Sequence, residues 1–534
     1  MSRRSARSQN PVPPRLWRKR YLAAELGGWR KPFGSAPVAM GLVFPNTYAA
    51  GMSSLGFQVI FGVLNRRADA LCHRFFMDAP GDGSLEADQP ARLYPLLGFS
   101  LSYELDYINV VRFLERSGIS LRHEMRRVGE PVLIGGGPAV SLNPYPLLPI
   151  FDVLVFGDGE VVMDRLADGW MESGGDRQKF LETASRIRGV VAPPLMAEST
   201  NARPLAVASA ETPFDAGYPF SFDVITPHAE FSEICVVELS RGCPYRCTFC
   251  TEGYRAAAYR PRPLEQIQSA IEEKTALTNR FGFLASAVGS HPRIRELCVW
   301  ALERGLQVSY SSLRVEDVKD EMLDLLVAGG QRTLTIAPET GTYELRRKLL
   351  KRMPDERIFA FTEQAVARGM QHLKLYFMIG LPGETDDDVR AIAALTRRLR
   401  EIQTAGARRR GQIGRLVLNI GIYVPKPSTP LARGGFTHPR LLRERRRLLQ
   451  HELAAVPNVQ ARWQPLQEAV IEAVLANARQ DGLDFMVRLA KGRPGVTFLM
   501  DWLERTVPVN EHFELRYEDL LEAVKAYPRS PAGL

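Results

Sequence analysis

The stretch that most restricts what this chain can fold into runs from Glu238 to Gly253, ELSRGCPYRCTFCTEG, where three of the six cysteines in 534 residues fall within eight positions. Gly242 and Pro244 forbid a helix there. The preceding residues Ile234 to Leu239, ICVVEL, form a short apolar run of buried-strand type, so the thiols sit on a loop leaving the C-terminal end of a strand. An odd set of cysteines needs a fourth ligand from elsewhere to close a tetrahedral zinc site, and no second Cys-x-x-Cys or His-x-x-x-His offers one. Cys72, Cys235 and Cys298 stand singly in apolar surroundings, the setting of a small buried hydrophobe. So sparse a set, behind an N-terminus MSRRSARSQNPVPP without an apolar signal core, argues against a disulfide framework, and the expected location is the reducing cytoplasm. Three thiolates suit a four-iron cubane, a [4Fe-4S] cluster, whose fourth iron stays open to a small chelating molecule.

Downstream, strands and helices alternate at about the spacing of a parallel βα barrel. GFLASAV (282–288), LQVSYSS (306–312), TLTIA (333–337), HLKLYFMIG (372–380) and LVLNIGIYV (416–424) read as strands. Helical patterns such as IRELCVWALERG and EMLDLLVAGG separate them, the latter stopped by its glycine pair. With ICVVEL they make six strands. Cys243-x-x-x-Cys247-x-x-Cys250, with aromatic Phe249 before the last cysteine, resembles the signature of the radical S-adenosylmethionine (SAM) superfamily, whose partial (β/α)6 barrel this count matches. The resemblance implies that SAM chelates the open iron and that its contacts lie at C-terminal strand ends. Those contacts would be Phe249, and Ser286 near the place where the family holds the methionine amino group, although the usual Gly-Gly-Glu run is absent. Ser311, Ser312 and Arg314 would follow from the third strand, and Glu339 and Thr340 from the fourth. Gly380 and Gly383 lie in MIGLPGE, similar to the family's adenine-binding strand, where Gly380 would let the purine approach the backbone. Each non-cysteine position is as compatible with ordinary turn or capping chemistry. Reductive cleavage of SAM yields a primary carbon radical able to attack unactivated C–H bonds, which leaves the protein to orient the substrate and exclude water and oxygen.

Residues 37 to about 165 read as a separate α/β unit. MGLVFPNTY opens with a strand, GMSSLGFQVIFGVLNRR is an amphipathic helix, LLGFSLSYELDYINVVRFLERSGI repeats the step, and PVLIGGGPAVSLNPYPLLPIFDVLVFGDGE adds two short strands. This is a doubly wound, Rossmann-like pattern whose ligand site lies at the strand C-termini. Placed before such a barrel, it resembles the cobalamin (B12)-binding domain of the cobalamin-dependent radical SAM subfamily. PNTYAAGMSSLGFQ, SLSYELDYINV, GGGPAVSLNPYPL, FGDGE and VPKPSTPL further resemble a poorly characterised bacterial and archaeal group of cobalamin-binding-domain radical SAM proteins, over about residues 37 to 431. That resemblance implies a corrin ring among Asn46, Thr47, Tyr48, Ser100, Ser102, Gly135, Gly136 and Gly137. Where histidine-ligating relatives carry Asp-x-His-x-x-Gly, this chain has Pro45-Asn46-Thr47-Tyr48, so no imidazole is offered to cobalt. The unit either holds a corrin without a protein ligand or keeps the fold without the cofactor.

These readings divide the chain into a basic arm (1–36), a cobalamin-binding-type domain (37–200), a linker (201–232), a barrel (233–431) and a helical C-terminal region (432–534). In the last, LLRERRRLLQHELAAV, EAVIEAVLANARQDG and FLMDWLERTV carry apolar residues at helical spacing. This tail is expected to cover the barrel mouth or hold substrate, and it has no cysteine for a second cluster. No stretch approaches the roughly 18 continuous apolar residues of a membrane span. The net charge of +9 is uneven, with nine Lys or Arg against Glu25 in residues 1–34 and eleven against Glu444 in residues 403–447. Such segments bind nucleic acid or acidic lipid surfaces, or are solvated arginines. The first 34 residues, with four prolines, are expected to lack a fixed fold until they dock. The expected function is a cytoplasmic radical SAM enzyme fed by a flavodoxin- or ferredoxin-type one-electron reductant, a cobalamin-dependent methyltransferase acting on a weakly activated carbon. Its alternatives are a cobalamin-independent radical SAM enzyme (hydrogen abstraction, rearrangement or cyclisation) and an RNA-binding or RNA-modifying protein.

Overall fold

Seven-residue runs that are apolar on both faces, such as VAMGLVF, bury themselves only inside a sheet covered on each side. The N-terminal unit is built on such strands: β1 (Val38–Phe44), β2 (Ala70–Phe76), β3 (Leu96–Ser100), β4 (Val132–Gly136), β5 (Val153–Val155) and β6 (Val190–Val191). Every residue of β1 and β2 is buried. The sheet order is 2-1-3-4-5-6, parallel except for antiparallel β6, with Met40 opposite both Cys72 and Leu96. The order reverses between β1 and β3, so the doubly wound sheet is present and its crevice falls at the loops leaving those two strands.

The computed structural model describes residues 13–196, 208–254, 258–310, 313–408, 411–492 and 494–510, with positions 522 and 524. Ser311, Ser312, the first twelve residues of the basic arm and most of the chain after 510 lie outside them. The chain divides into one unit of residues 1–235 with 479–493 and another of 236–478 with 494–534. Among the described residues no helix is long and apolar enough to cross a membrane.

Three boundaries read from the sequence are corrected. The arm is folded from residue 14: Pro14–Ala24 is a helix with Trp17 buried, and Arg18 donates to the carbonyls of Leu85 (2.9 Å) and Glu86 (2.8 Å). Its basic and proline-rich composition hid an aromatic stack, with Tyr21 4.0 Å from Tyr48. It also hid a buried ion set, in which Arg74 lies between Glu25 (2.8 Å) and Glu86 (2.6 Å) while the Tyr48 hydroxyl donates to Glu25 (2.7 Å). The expected linker is likewise part of this unit. Val224–Ile225 pairs antiparallel with Leu26–Gly27, and Asp223 binds Arg66 at 2.7 Å. Finally, Gly482–Ala490 belongs to the N-terminal unit, where Arg112 on the Asp106–Ser117 helix donates to Leu489 O at 3.2 Å.

The second unit carries β7 (Cys235–Glu238), β8 (Arg280–Leu284), β9 (Gln307–Tyr310), β10 (Thr333–Glu339), β11 (His372–Ile379), β12 (Leu416–Ile422) and β13 (Val459–Trp463). They run 9-8-7 in one sheet and 10-11-12-13 in the next, and a parallel bridge from Leu313 to Ile336 joins the end of β9 to β10. The six expected barrel strands are thus present in order, alternating with helices such as Ile294–Glu303 and Asp386–Arg408. β13 is a seventh, inside a region expected to be helical. VQARW alternates with period two, the spacing of a half-exposed strand.

Glu25→Ala would strip one carboxylate from the buried Arg74 guanidinium. We expect a loss of about 3 kcal/mol, read as a lower urea midpoint for the N-terminal unit. An unchanged midpoint would contradict the docked arm.

Candidate functional site

β7 ends at Glu238, whose carboxylate accepts from Arg241 (2.9 Å) and Arg262 (2.5 Å), and the chain then turns at Gly242 (φ 69°) into the cysteine loop. Cys243, Cys247 and Cys250 are half-buried free thiols. Thr248, between them, is fully buried; its N–H donates to Leu349 O (3.2 Å) and its carbonyl accepts from Leu431 N–H (3.0 Å). Phe249 packs with Met378 against Leu345, Leu349, Leu381, Tyr423 and Leu431. Arg314 directs Nη1 to Cys247 Sγ at 3.5 Å and lies 3.8 Å over the Tyr245 ring, whose hydroxyl donates to Asp317. Burial raises the Cys243 thiol and pushes Cys250 up to about 12, so binding a metal here must displace thiol protons. Among the described residues no three His, Cys, Asp or Glu side chains are grouped to hold a single metal ion. A cubane asks for something different, closely spaced thiolates each on its own iron. Three thiols on one pinned loop beside a guanidinium fit that donor set.

The strand ends around this loop are occupied unequally. Ser286, beyond β8, donates to Glu252 at 3.2 Å, tying that strand end to the acid two residues after Cys250. Glu339 closes β10 with φ 72°, where the β11 register shifts between Ile336 and Glu339, and Lys351 holds its carboxylate at 2.6 Å. Thr340 is fully buried and its hydroxyl has no partner among the described residues, a group that calls for a ligand or water.

Gly380 departs from expectation. Its φ is 83°, and a Cβ there would lie 2.5 Å from Leu442 Cδ2. Its N–H donates to Glu384 (2.7 Å) and its carbonyl accepts from the Thr437 hydroxyl (2.9 Å). The glycine is demanded by the left-handed turn, and Leu442 Cδ2 occupies the direction a Cβ would take. Gly383 is left-handed as well, with φ 76°. Sequence reasoning missed Glu252, Lys351 and the buried pair Glu384–Arg445 (2.9 Å). Only Glu252, next to the cysteines, carried a positional signal.

In the N-terminal crevice most residues expected around a corrin serve the fold instead. Asn46 donates to Asp106 (3.0 Å) and accepts from the Thr47 N–H (2.9 Å), while Thr47 caps the Tyr48–Gly51 turn through the Ala50 N–H (3.3 Å). Tyr48 is fully buried, so its assignment to a ligand is corrected. A Cβ on Gly135 would meet Leu154 at 3.0 Å, and one on Gly137 (φ 111°) would stand 2.5 Å from Leu101 O. Ser100 is half-buried, Ser102 is exposed, and a Cβ on Gly136 would make only ordinary contact with Val155 at 3.5 Å. His73, the histidine on this sheet, is committed to Tyr94 (2.6 Å) and Lys31 O (2.8 Å). These residues do not fit a corrin ligated by the protein.

Two family profiles match. Residues 56–193 match the N-terminal domain of radical SAM proteins, and residues 237–396 match the radical SAM superfamily. The uncharacterized protein MJ0966 of Methanocaldococcus jannaschii is 27% identical over 73% of this chain and 78% of its own length. An uncharacterized methyltransferase of Pyrococcus horikoshii, PH0819, is 25% identical over 50% of this chain and 58% of its own. Among solved structures, the cobalamin-dependent SAM radical enzyme OxsB with aqua-cobalamin bound aligns over 67% of this chain and 52% of that one, with TM-score 0.48 and 14% identity.

Two outcomes follow for the N-terminal crevice. Burial, opposed by the Asn46 hydrogen bond, lifts the Asp106 carboxyl to about 6. The folded unit therefore holds this proton more tightly than the unfolded chain, and its contribution to stability is full below about pH 4 and lost as pH rises through about 6. Urea midpoints of wild type and Asp106→Asn should diverge across that window by of order 2 kcal/mol; parallel curves would refute it. Gly137→Ala should cost more than about 1 kcal/mol and Gly136→Ala much less, and equal costs would contradict the packing described.

Proposed function

We propose that this radical SAM enzyme reductively cleaves S-adenosylmethionine at a [4Fe-4S] cluster held by Cys243, Cys247 and Cys250, and turns the radical on a weakly activated carbon, with methyl transfer as the outcome. The observation that carries the cluster is the three-thiol loop pinned at Thr248 beside Arg314. Methyl transfer is supported by the relative named a methyltransferase. A cluster held by Cys243, Cys247 and Cys250 and reduced by a flavodoxin- or ferredoxin-type donor would supply the one electron that breaks the bond from the sulfonium to carbon 5′ of the adenosyl group. The remaining work belongs to the chain. Arg314 offsets thiolate charge at Cys247. The Thr340 hydroxyl, unpartnered among the described residues, and the Glu339–Lys351 pair at the end of β10 support contacts to ribose or methionine groups in this reading. The apolar packing of Phe249 excludes water from one side of the loop.

A corrinoid methyl carrier is the finer form of this reading, suggested by the doubly wound N-terminal unit. The commitment of Asn46, Thr47, Tyr48, Gly135 and Gly137 to the fold favours a second reading, in which the enzyme works without cobalamin. Protein made with ample cobalamin separates them. About one corrinoid per chain, its cob(II)alamin resonance free of axial nitrogen splitting, supports the first. Corrinoid-free protein that still cleaves SAM supports the second.

For the cluster itself, anaerobically reconstituted protein should carry about four irons, and Cys243→Ala, Cys247→Ala or Cys250→Ala should each bleach the chromophore and abolish 5′-deoxyadenosine formation. About one zinc and no iron in the wild type would overturn the proposal.

A further inference from the structure

The two faces of the β11–β13 sheet differ. On β11, Leu373, Leu375, Phe377 and Ile379 are buried, while Lys374, Tyr376 and Met378 alternate with them on the other face. β12 does the same, with Leu416, Leu418 and Ile420 buried and Val417, Asn419 and Gly421 opposite. Met378 packs in the apolar group that holds Phe249, so the second face is the one that looks toward the cysteine loop. Register sets Tyr376, Asn419 and Arg462 side by side in one row across β11, β12 and β13. Paired residues of neighbouring parallel strands share a face. Arg462 therefore projects with Asn419, while the next residue, Trp463, lies on the far side under Arg446 at 5.1 Å.

The chemistry of this row is one-sided. Lys374 lies two residues below Tyr376 on the same face and brings its ammonium 5.1 Å from the Tyr376 ring centroid, up to the level of the row. Asn419 Nδ2 is shielded from solvent and donates to no group among the described residues. Tyr376 remains 37% exposed on the interior of a barrel strand, which marks the row as accessible. Among the described residues neither Lys374 nor Arg462 makes an ion pair, and the carboxylate closing β10, Glu339, is already held by Lys351. Glu472, which accepts from Gln464 above Gly421 (3.2 Å), is likewise held by Lys426 at 2.8 Å, so two cations and an unspent amide donor form a surface that recognises oxyanions.

We propose that the inner face of β11–β13 binds an anionic group of the substrate, a phosphate or carboxylate, through Lys374, Asn419 and Arg462. This rests on the proposed radical SAM reading for the direction of the chemistry. Met378 stands two residues beyond Tyr376, about 7 Å at strand rise, so an anion on this row leaves the attached carbon chain pointing at the cysteine loop. The arrangement fits a small, charged metabolite or a phosphorylated group of a larger molecule, and it excludes a purely apolar substrate.

Equilibrium dialysis of reconstituted full-length protein at low salt, with radiolabelled inorganic phosphate in one arm and acetate in the other, tests this. We expect saturable binding of about one ion per chain in one arm, which names the anion. Lys374→Met and Arg462→Met should each weaken it about tenfold or more, Asn419→Leu severalfold, and Arg462→Lys little. Arg443→Gln, an exposed arginine on the Pro439–Ala454 helix, should leave it unchanged. Circular dichroism and melting temperature screen each variant for folding, and the charge-keeping Arg462→Lys remains informative if a methionine variant fails that screen. Saturable binding of neither ion, or binding indifferent to the Lys374 and Arg462 changes, overturns the inference. SAM cleavage is assayed on the same preparation. Protein that cleaves SAM but binds neither ion sinks this inference alone, whereas protein that binds the ion but leaves SAM intact sinks the proposed function alone.

Discussion

A loop can present three thiols to one cluster only if its backbone is held by something other than the metal. Here that hold is Thr248, whose N–H and carbonyl are both spent inside the protein, on Leu349 beyond β10 and Leu431 beyond β12. Leaving either buried group unpaired would cost about 1 to 3 kcal/mol, so the loop cannot lift without breaking contact with the segments that follow two other strands. Phe249 adds the apolar half of the same anchor. The cysteines therefore belong to a site assembled from β7, β10, β11 and β12 together, although they are contiguous in sequence.

The strands that carry this site obey one rule. Alternate residues are driven into the layer beneath the helices, and the remaining ones face the interior, where polarity is tolerated because the space is open. The departures from regular strand sit at the C-terminal ends: the left-handed Glu339, the register shift before it, and the left-handed Gly380 locked by Glu384 and Thr437. Strain of that kind persists where surrounding contacts over-determine it. At β10 and β11 the contacts are the buried pairs Lys351–Glu339 and Arg445–Glu384. Arg445 and Lys426, both in the basic stretch 403–447, are thereby committed to the fold, Lys426 through Glu472 at 2.8 Å.

What was legible in the sequence followed from periodicity and local chemistry. The six barrel strands, the doubly wound sheet and the cysteine loop could be read because each is signalled within about ten residues. The failures have physical reasons. The arm looked unfolded because its arginines and prolines mask Trp17 and Tyr21, and because the acid that clamps it, Glu25, finds Arg74 forty-nine residues away. β13 is five residues between two helices, too short to announce itself. At Gly380 and Gly137 the direction a Cβ would take is filled, by Leu442 and by the Leu101 carbonyl, and both residues have positive φ. A glycine in sequence signals a close approach or an unusual φ, and does not say which neighbour is close.

A radical SAM reaction here requires that the cysteine loop hold a redox-active cluster that meets SAM. Electron paramagnetic resonance of the anaerobically reconstituted, dithionite-reduced protein tests it directly. We expect a reduced [4Fe-4S] signal that changes shape when SAM is added and is absent from Cys250→Ala. A reduced wild-type protein with no such signal, or one whose signal is indifferent to SAM, would contradict it.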